Sequence, residues 1–325
     1  MGEIMALASW AERLLLQCYM RPVYALLIYL GVVFLGGALL APWVYWGVQG
    51  AAPGWVGFPS LAGEPFHRFV SRSWIVLGLA GLLPFLRACG MSTWRDVGLG
   101  RVPNRWRCFG WGLGLGFGSL ALVAIVGLAA GARVLVASRT TWQITAHLTT
   151  AGLSAAVVAL IEEVLFRGAV YGALRRSMRW QTALVVSSLF YALVHFFQRP
   201  EPPDMVGWAS GLALLPRMMR GFGDIHQFLP GFLSLSVAGA LLGLAYQRTG
   251  NLLFSIGLHA GWIFWLKSYT FLTEEGQGAN VWLWGSGKLI DGWFSFLVLS
   301  AVLIGCSRML RIDPDRSDHG IVAKE

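Results

Sequence analysis

The sequence predicts an all-α, polytopic membrane protein with about eight transmembrane helices in a single bundle. Of its 325 residues, 56% are hydrophobic and 13% charged, whereas soluble domains are about 45–50% apolar and about 25% charged. Apolar residues recur in blocks near the length of about 20 residues that a helix needs to cross the hydrocarbon core. The arginines cluster at the ends of these blocks. Lipid is therefore the expected solvent for most of the chain.

Eight segments meet the length criterion for a membrane-spanning helix. They lie at residues 22–48, 72–90, 109–131, 150–174, 180–197, 229–247, 251–271 and 289–310. Residues 1–21 are predicted to form an amphipathic segment, because a signal peptide would have a basic start and a small-residue cleavage site. Within the third segment, Gly110, Gly112, Gly114, Gly116 and Gly118 lack the neighbouring elements of a phosphate loop and favour close helix packing.

The orientation follows from the loops after the second, fourth and sixth segments, where positive residues gather. These residues are Arg95, Arg101, Arg105, Arg107, Arg175, Arg176, Arg179 and Arg248. Because positive charge resists translocation, both termini are expected to be cytoplasmic. The net charge of +9 forms no basic face, so nucleic acid is not an expected partner. A compact chain without sorting signals favours the inner membrane of a bacterium.

The fourth segment carries ionisable residues at the depth of the bilayer, where each costs several kcal/mol. Its motif runs Glu162-Glu163-Val-Leu-Phe-Arg167. Glu163 and Arg167 are four residues apart and share a helix face, so they can pair, either for structure or for chemistry. Glu162 is rotated by about 100° from Glu163 and requires a partner from another helix.

Two later segments supply imidazoles that can reach Glu162. His195 follows Tyr191 by four residues in the fifth segment, and His259 lies midway through the seventh. A carboxylate that shares a proton with imidazole suits the role of a general base for water. A lone histidine can also simply bond a backbone carbonyl. Tyr191 is expected to brace the His195 ring from the same helix face.

In this order, the EExxxR motif at Glu162, the pair Tyr191 and His195, and His259 resemble the CAAX protease and bacteriocin-processing (CPBP or ABI) family. The Ras-converting type II CAAX prenyl endopeptidases belong to the same family. The resemblance implies a glutamic-type intramembrane endopeptidase that needs no cofactor and cleaves a membrane-anchored or lipidated peptide or protein. It divides the chain into accessory helices at 22–148, a catalytic core at 149–271 with a loop at 198–228, and a last helix and cytoplasmic tail at 272–325.

The resemblance also implies residue roles. Glu162 would activate water together with His195, Glu163 and Arg167 would set the local charge, and His259 would stabilise the oxyanion. Two positions depart from the family pattern: Tyr191 stands where Phe is usual, and Ile263 where a second oxyanion donor, Asn, is usual. Trp262 or a residue on another helix would then replace that donor.

Three alternatives remain open from the residues alone. Glu162, His195 and His259 could complete a zinc site, although the HExxH motif is absent. The buried acids and imidazoles could form a proton relay in a transporter. Without the usual Asn, the protein could also be a non-catalytic scaffold or immunity protein. The sequence determines neither the substrate nor the oligomeric state.

Overall fold

The computed structural model describes residues 21–51, 59–223 and 225–310, and it is mostly helical (74%). The predicted amphipathic segment lies outside these residues except for Arg21, as does the tail beyond residue 310. The principal helices are α1 Arg21–Ala51, α2 Phe66–Ala88, α3 Arg105–Ala129, α4 Thr141–Leu174, α5 Trp180–Val194, α6 Ser210–Met218, α7 Ile225–Thr249, α8 Leu253–Leu272 and α9 Trp293–Met309. Short helical turns lie at Pro59–Ala62, Met219–Phe222 and Val281–Trp284.

The helices identify an integral membrane protein, as predicted. Five of them in the described ranges are long and apolar enough to cross a membrane, namely α1, α2, α3, α4 and the part of α7 from Phe228. Helices α5 and α9 are apolar but shorter, with 15 and 17 residues. Each of the eight predicted segments contains a helix, but their number as spans and their arrangement in a single bundle stay predictions.

The described residues also contain one short β-ribbon within the mostly helical fold. Strands β1 Arg133–Leu135 and β2 Thr273–Glu275 pair antiparallel at the carboxyl ends of α3 and α8. The Arg133 side chain is buried, and its Nη2 donates to the Thr273 carbonyl at 2.8 Å. Three-residue strands are too short to show a period of two in the sequence, so no pattern predicted them.

The first of two compact units takes in residues 21–51, 59–92 and 196–223, with α1, α2 and α6. The Tyr29 hydroxyl on α1 donates to the carbonyl of Gly78 on α2 at 2.6 Å. Helix α6, within the loop predicted at 198–228, buries one face and packs against α1. A Cβ at Gly211 would overlap the carbonyl oxygen of Ala38. This stretch is therefore a packed helix of its unit.

The second unit takes in residues 93–195 and 225–310 and contains α3, α4, α5, α7, α8 and α9. Helices α3 and α8 pack at close range. A Cβ at Gly112 would overlap the backbone oxygen of Phe254 on α8, and a Cβ at Gly116 would overlap that of Leu258. The predicted close packing through small residues is confirmed there. Gly110, Gly114 and Gly118 meet nothing within 4 Å, because residues two apart face different sides of a helix.

The arginine-rich loops of the second unit meet at one of its ends. The guanidinium of Arg176 lies 3.6 Å from the Asp96 carboxylate. Arg175 donates to the hydroxyl of Tyr246 at 3.3 Å, which joins the end of α4 to the end of α7. The contacts agree with the prediction that the loops after the second and fourth segments lie on the same side of the membrane. Which side that is stays a prediction.

Candidate active site

Helix α4 supplies the two glutamates and changes its winding immediately after them. It starts at a capping box in which Thr140 and Gln143 satisfy each other's backbone N–H groups. It is α-helical to Glu163 and then forms a π-helix over Val164–Tyr171. Such wider turns are rare and occur often at functional sites. Arg167 lies within the π-helix, so the motif spans a change of helical geometry.

Glu163 is completely buried and contacts an arginine and a histidine side chain. Its Oε1 accepts from Arg167 Nη1 at 2.9 Å, as the sequence predicts for residues four apart. The same oxygen lies 2.9 Å from His259 Nδ1 on α8. A carboxylate in this position must be paired, because an unpaired buried charge is strongly destabilising. Glu163 therefore links Arg167 to His259, a contact that the sequence did not predict.

Arg167 is held by three helices. Beyond its pair with Glu163 on α4, its guanidinium lies over the Tyr191 ring on α5, 4.3 Å from the ring centre. Its Nη2 also donates to the Gly239 carbonyl on α7 at 3.4 Å. These contacts satisfy a buried cation from several directions and fix its position.

His259 is 4% exposed, and its two ring nitrogens face different partners. Since the Glu163 carboxylate can only accept, Nδ1 carries the proton of their 2.9 Å bond. Its Nε2 then lies 3.3 Å from the Tyr191 hydroxyl and 3.7 Å from Glu162 Oε2. The ring orientation is thus set by Glu163 on one side, and its other nitrogen faces Glu162.

His195 follows the last residue of α5 and is oriented by its own helix. Its Nδ1 lies 2.7 Å from the Tyr191 carbonyl oxygen, which can only accept. Nε2 is left to face Glu162 Oε2 at 3.8 Å. The side chain is 31% exposed, so this face of the site is more open than the His259 face.

Glu162 Oε2 lies between the two imidazoles. The separations of 3.8 and 3.7 Å from the two Nε2 atoms exceed the length of a direct hydrogen bond. Each is short enough for a single water to bridge. Within the described ranges this oxygen has no hydrogen-bond partner. The predicted convergence of one carboxylate and two imidazoles is present.

Tyr191 and Trp262 surround the histidines. The Tyr191 ring centre lies 4.4 Å from that of His195, in the position predicted for a bracing residue. The Trp262 ring contacts His259 edge-on, but its indole N–H donates to Ser119 Oγ at 2.9 Å. Trp262 is therefore placed as a packing residue with its only polar donor occupied. Ile263 is buried and offers no donor.

The zinc alternative required Glu162, His195 and His259 to act as ligands. Among the residues that the structure describes, no group of three or more His, Cys, Asp or Glu side chains could hold a metal ion. The geometry of these donors therefore gives no support to a metal centre.

Apolar helices around two glutamates, an arginine and two histidines define an integral membrane protein with a buried acid–base site. Residues 145–265 match the family model described as type II CAAX prenyl endopeptidase, Rce1-like. The match includes every site residue from Glu162 to Ile263, so the predicted family resemblance is confirmed over this region. Comparison with curated proteins and with solved structures gives no match.

Proposed function

We propose that this protein is an intramembrane endopeptidase that hydrolyses a peptide bond of a membrane-anchored or lipidated substrate. The observation that carries the proposal is the position of Glu162 Oε2, 3.8 Å and 3.7 Å from the Nε2 atoms of His195 and His259. A carboxylate at this distance from two imidazoles can hold and activate water. The family match over residues 145–265 supports the same reaction class.

The nucleophile in this mechanism is a water between Glu162 and His195. Both groups can accept, because Nδ1 of His195 donates to the Tyr191 carbonyl and leaves the Nε2 lone pair facing Glu162. The water oxygen bonds to the peptide carbonyl carbon while one of its protons passes to Glu162. Glu162 then gives this proton to the departing amine nitrogen as the C–N bond breaks, so the carboxylate is regenerated.

His259 and Glu163 stabilise the negative charge that develops on the oxygen of the tetrahedral intermediate. With His259 protonated from solvent before the attack, its Nε2 donates to the oxygen of the tetrahedral intermediate. Glu163 accepts from Nδ1 at 2.9 Å and stabilises the resulting imidazolium, while Arg167 balances Glu163. Two carboxylates and two cations then sum to zero charge, which favours a buried site.

The substrate is proposed to reach the site from the membrane, and prenylation is left open. The relatives named by the matching family model act on prenylated CAAX proteins. For this chain we propose a membrane-linked peptide or protein and residence in a bacterial inner membrane with cytoplasmic termini. The contacts that join Asp96 to Arg176 and Arg175 to Tyr246 support that orientation, because they gather the positive loops at one end.

One observation favours a second candidate, a non-catalytic scaffold or immunity protein. Ile263 occupies the position from which the family supplies a hydrogen-bond donor, four residues after His259. A scaffold would not need that donor. When Glu162 loses its charge, an endopeptidase should stop cleaving its substrates, whereas a scaffold should keep its function.

The test compares membrane proteomes of cells that carry the wild type, Glu162→Gln or Glu274→Gln. Glu274 is an exposed carboxylate on β2 and serves as the matched control. We expect a set of membrane-linked proteins to accumulate uncut with Glu162→Gln alone. Identical proteomes in all three strains would favour the scaffold, provided that Glu162→Gln cells keep whatever phenotype distinguishes wild-type cells from cells without the protein.

A further inference from the structure

We propose that the Tyr191 hydroxyl is a catalytic hydrogen-bond donor, which together with His259 Nε2 binds the oxyanion of the tetrahedral intermediate. The proposal rests on the proposed function and deepens it. Its starting observation is that the Tyr191 oxygen lies 3.3 Å from His259 Nε2 in the interior of the site. Both side chains are almost fully buried.

The spacing of these two atoms suits a shared anionic ligand. Oxyanion donors act at about 2.7–3.1 Å from the oxygen on which charge develops. Because Tyr191 Oη and His259 Nε2 are 3.3 Å apart, one oxygen atom can lie within that range of both. Glu162 Oε2 lies 3.7 Å from the same Nε2, so the proposed water and the proposed oxyanion are next to each other. Attack and charge stabilisation can then occur at one carbonyl group.

The phenol is held in place before the reaction. Arg167 lies over its ring, Phe166 packs edge-on at 5.1 Å between ring centres, and the backbone carbonyl of Tyr191 holds His195. With its oxygen fixed in this way, the phenol only has to turn its O–H bond when charge appears, and such preorganisation is the basis of electrostatic stabilisation in active sites. Tyr191 thus contacts both histidines, one through its hydroxyl and one through its carbonyl.

The protonation state of His259 determines whether the Tyr191 hydroxyl can donate to the substrate. With His259 neutral, its Nδ1 proton points to Glu163, and the Tyr191 hydroxyl can donate to the Nε2 lone pair. When Nε2 has taken a proton from solvent before the attack, that lone pair is gone. The phenol proton then requires another acceptor, and neighbouring Arg167 cannot accept. The carbonyl oxygen of the substrate supplies one, and its acceptor strength grows as it becomes an oxyanion.

Ile263 and Trp262 do not supply this donor. Ile263 has no polar atom in its side chain. The Trp262 indole N–H is bonded to Ser119 Oγ at 2.9 Å and would have to break that buried bond. Of Ile263, Trp262 and Tyr191, Tyr191 is the residue whose donor can turn to the substrate.

The variant Tyr191→Phe removes the oxygen atom and keeps the ring against Arg167, Phe166 and His195. The control is Tyr171→Phe, which removes another buried hydroxyl, one that donates to Gln247 at 2.7 Å outside the site. Each full-length protein would be assayed in proteoliposomes with a substrate found in the proteome comparison. We expect kcat of Tyr191→Phe to fall by about 10²- to 10³-fold with KM little changed. Tyr171→Phe should keep the wild-type kcat.

A second measurement does not depend on turnover. A membrane-linked peptide with a phosphonate in place of the scissile amide mimics the tetrahedral intermediate, and Tyr191→Phe should weaken its binding by the same factor as kcat/KM. A kcat within about threefold of wild type, or an effect confined to KM, overturns the role of Tyr191. If Glu162→Gln is inactive in that case, the proposed function still stands. Full activity of Glu162→Gln would instead overturn the proposed function.

Discussion

His259 Nδ1 lies 2.9 Å from Glu163 Oε1, and this bond joins the buried ion pair of α4 to the histidine of α8. Glu163 therefore does more than neutralise Arg167. It fixes which nitrogen of His259 carries a proton, and so which nitrogen faces Glu162 and Tyr191. This orienting role can be tested separately from the stability that Glu163 provides and from the chemistry of Glu162.

Removing the charge of Glu163 should destabilise the protein as well as inactivate it. In Glu163→Gln, the buried Arg167 loses its carboxylate partner, which costs about 3–5 kcal/mol for a pair of this kind. We expect a lower unfolding temperature in detergent and little cleavage. The double variant Glu163→Gln with Arg167→Met removes both charges, and it should recover stability but not cleavage. Recovery of cleavage in the double variant would contradict the orienting role.

The two histidines should differ in how their loss affects folding. His195 is partly exposed, so His195→Gln should abolish cleavage while the protein accumulates normally. His259→Gln leaves the buried Glu163 with a weakened partner and should also lower stability by about 1–3 kcal/mol. Thermal unfolding and peptide cleavage, measured on both variants, test this difference. Equal stability of the two would show that the Glu163 bond contributes little to the fold.

The packing of α3 on α8 predicts that alanine substitutions at two nearby glycines differ in their effect on stability. In Gly116→Ala, the new methyl group would overlap the backbone of Leu258, one residue before His259, and overpacking of this kind costs about 1–3 kcal/mol. Gly114→Ala meets nothing within 4 Å and should be neutral or slightly stabilising. Unfolding in detergent would measure both. A similar loss for the two variants would argue against the close contact of the helices.

Metal removal should leave the activity unchanged. In the proposed mechanism Glu162, His195 and His259 act through protons, and the described residues contain no group arranged for a metal ion. Cleavage would be measured after treatment with a strong chelator and dialysis, with elemental analysis of the same sample. Loss of cleavage that zinc restores, together with stoichiometric zinc in the untreated protein, would revive the metalloprotease alternative.

The features that followed from the sequence are those set by local spacing or by the order of motifs. The pair of Glu163 and Arg167 needs only residues four apart on one helix, and the convergence of His195 and His259 on Glu162 follows from their burial and order. The bond between Glu163 and His259 depends on the rotation of α8 against α4. No residue pattern specifies that rotation.

Other features depend on packing that the sequence does not express. The π-helix after Glu163 has no residue signature, and the Gly239 carbonyl that accepts from Arg167 is a backbone group present at every position. The sequence does not determine the role of Trp262, because its hydrogen-bond partner, Ser119, is 143 residues away. By contrast, the periodic glycines of α3 correctly indicated close packing, and the structure adds which of them face α8.

The most direct test of the central claim is the rate of peptide cleavage by purified wild type, Glu162→Gln and Glu274→Gln in proteoliposomes with ¹⁸O-labelled water. The account predicts that the wild type and Glu274→Gln place ¹⁸O in the new carboxyl terminus. It predicts that Glu162→Gln is slower by at least about 10³-fold, because it lacks the base that takes the proton of water. Cleavage by Glu162→Gln at the wild-type rate would contradict it.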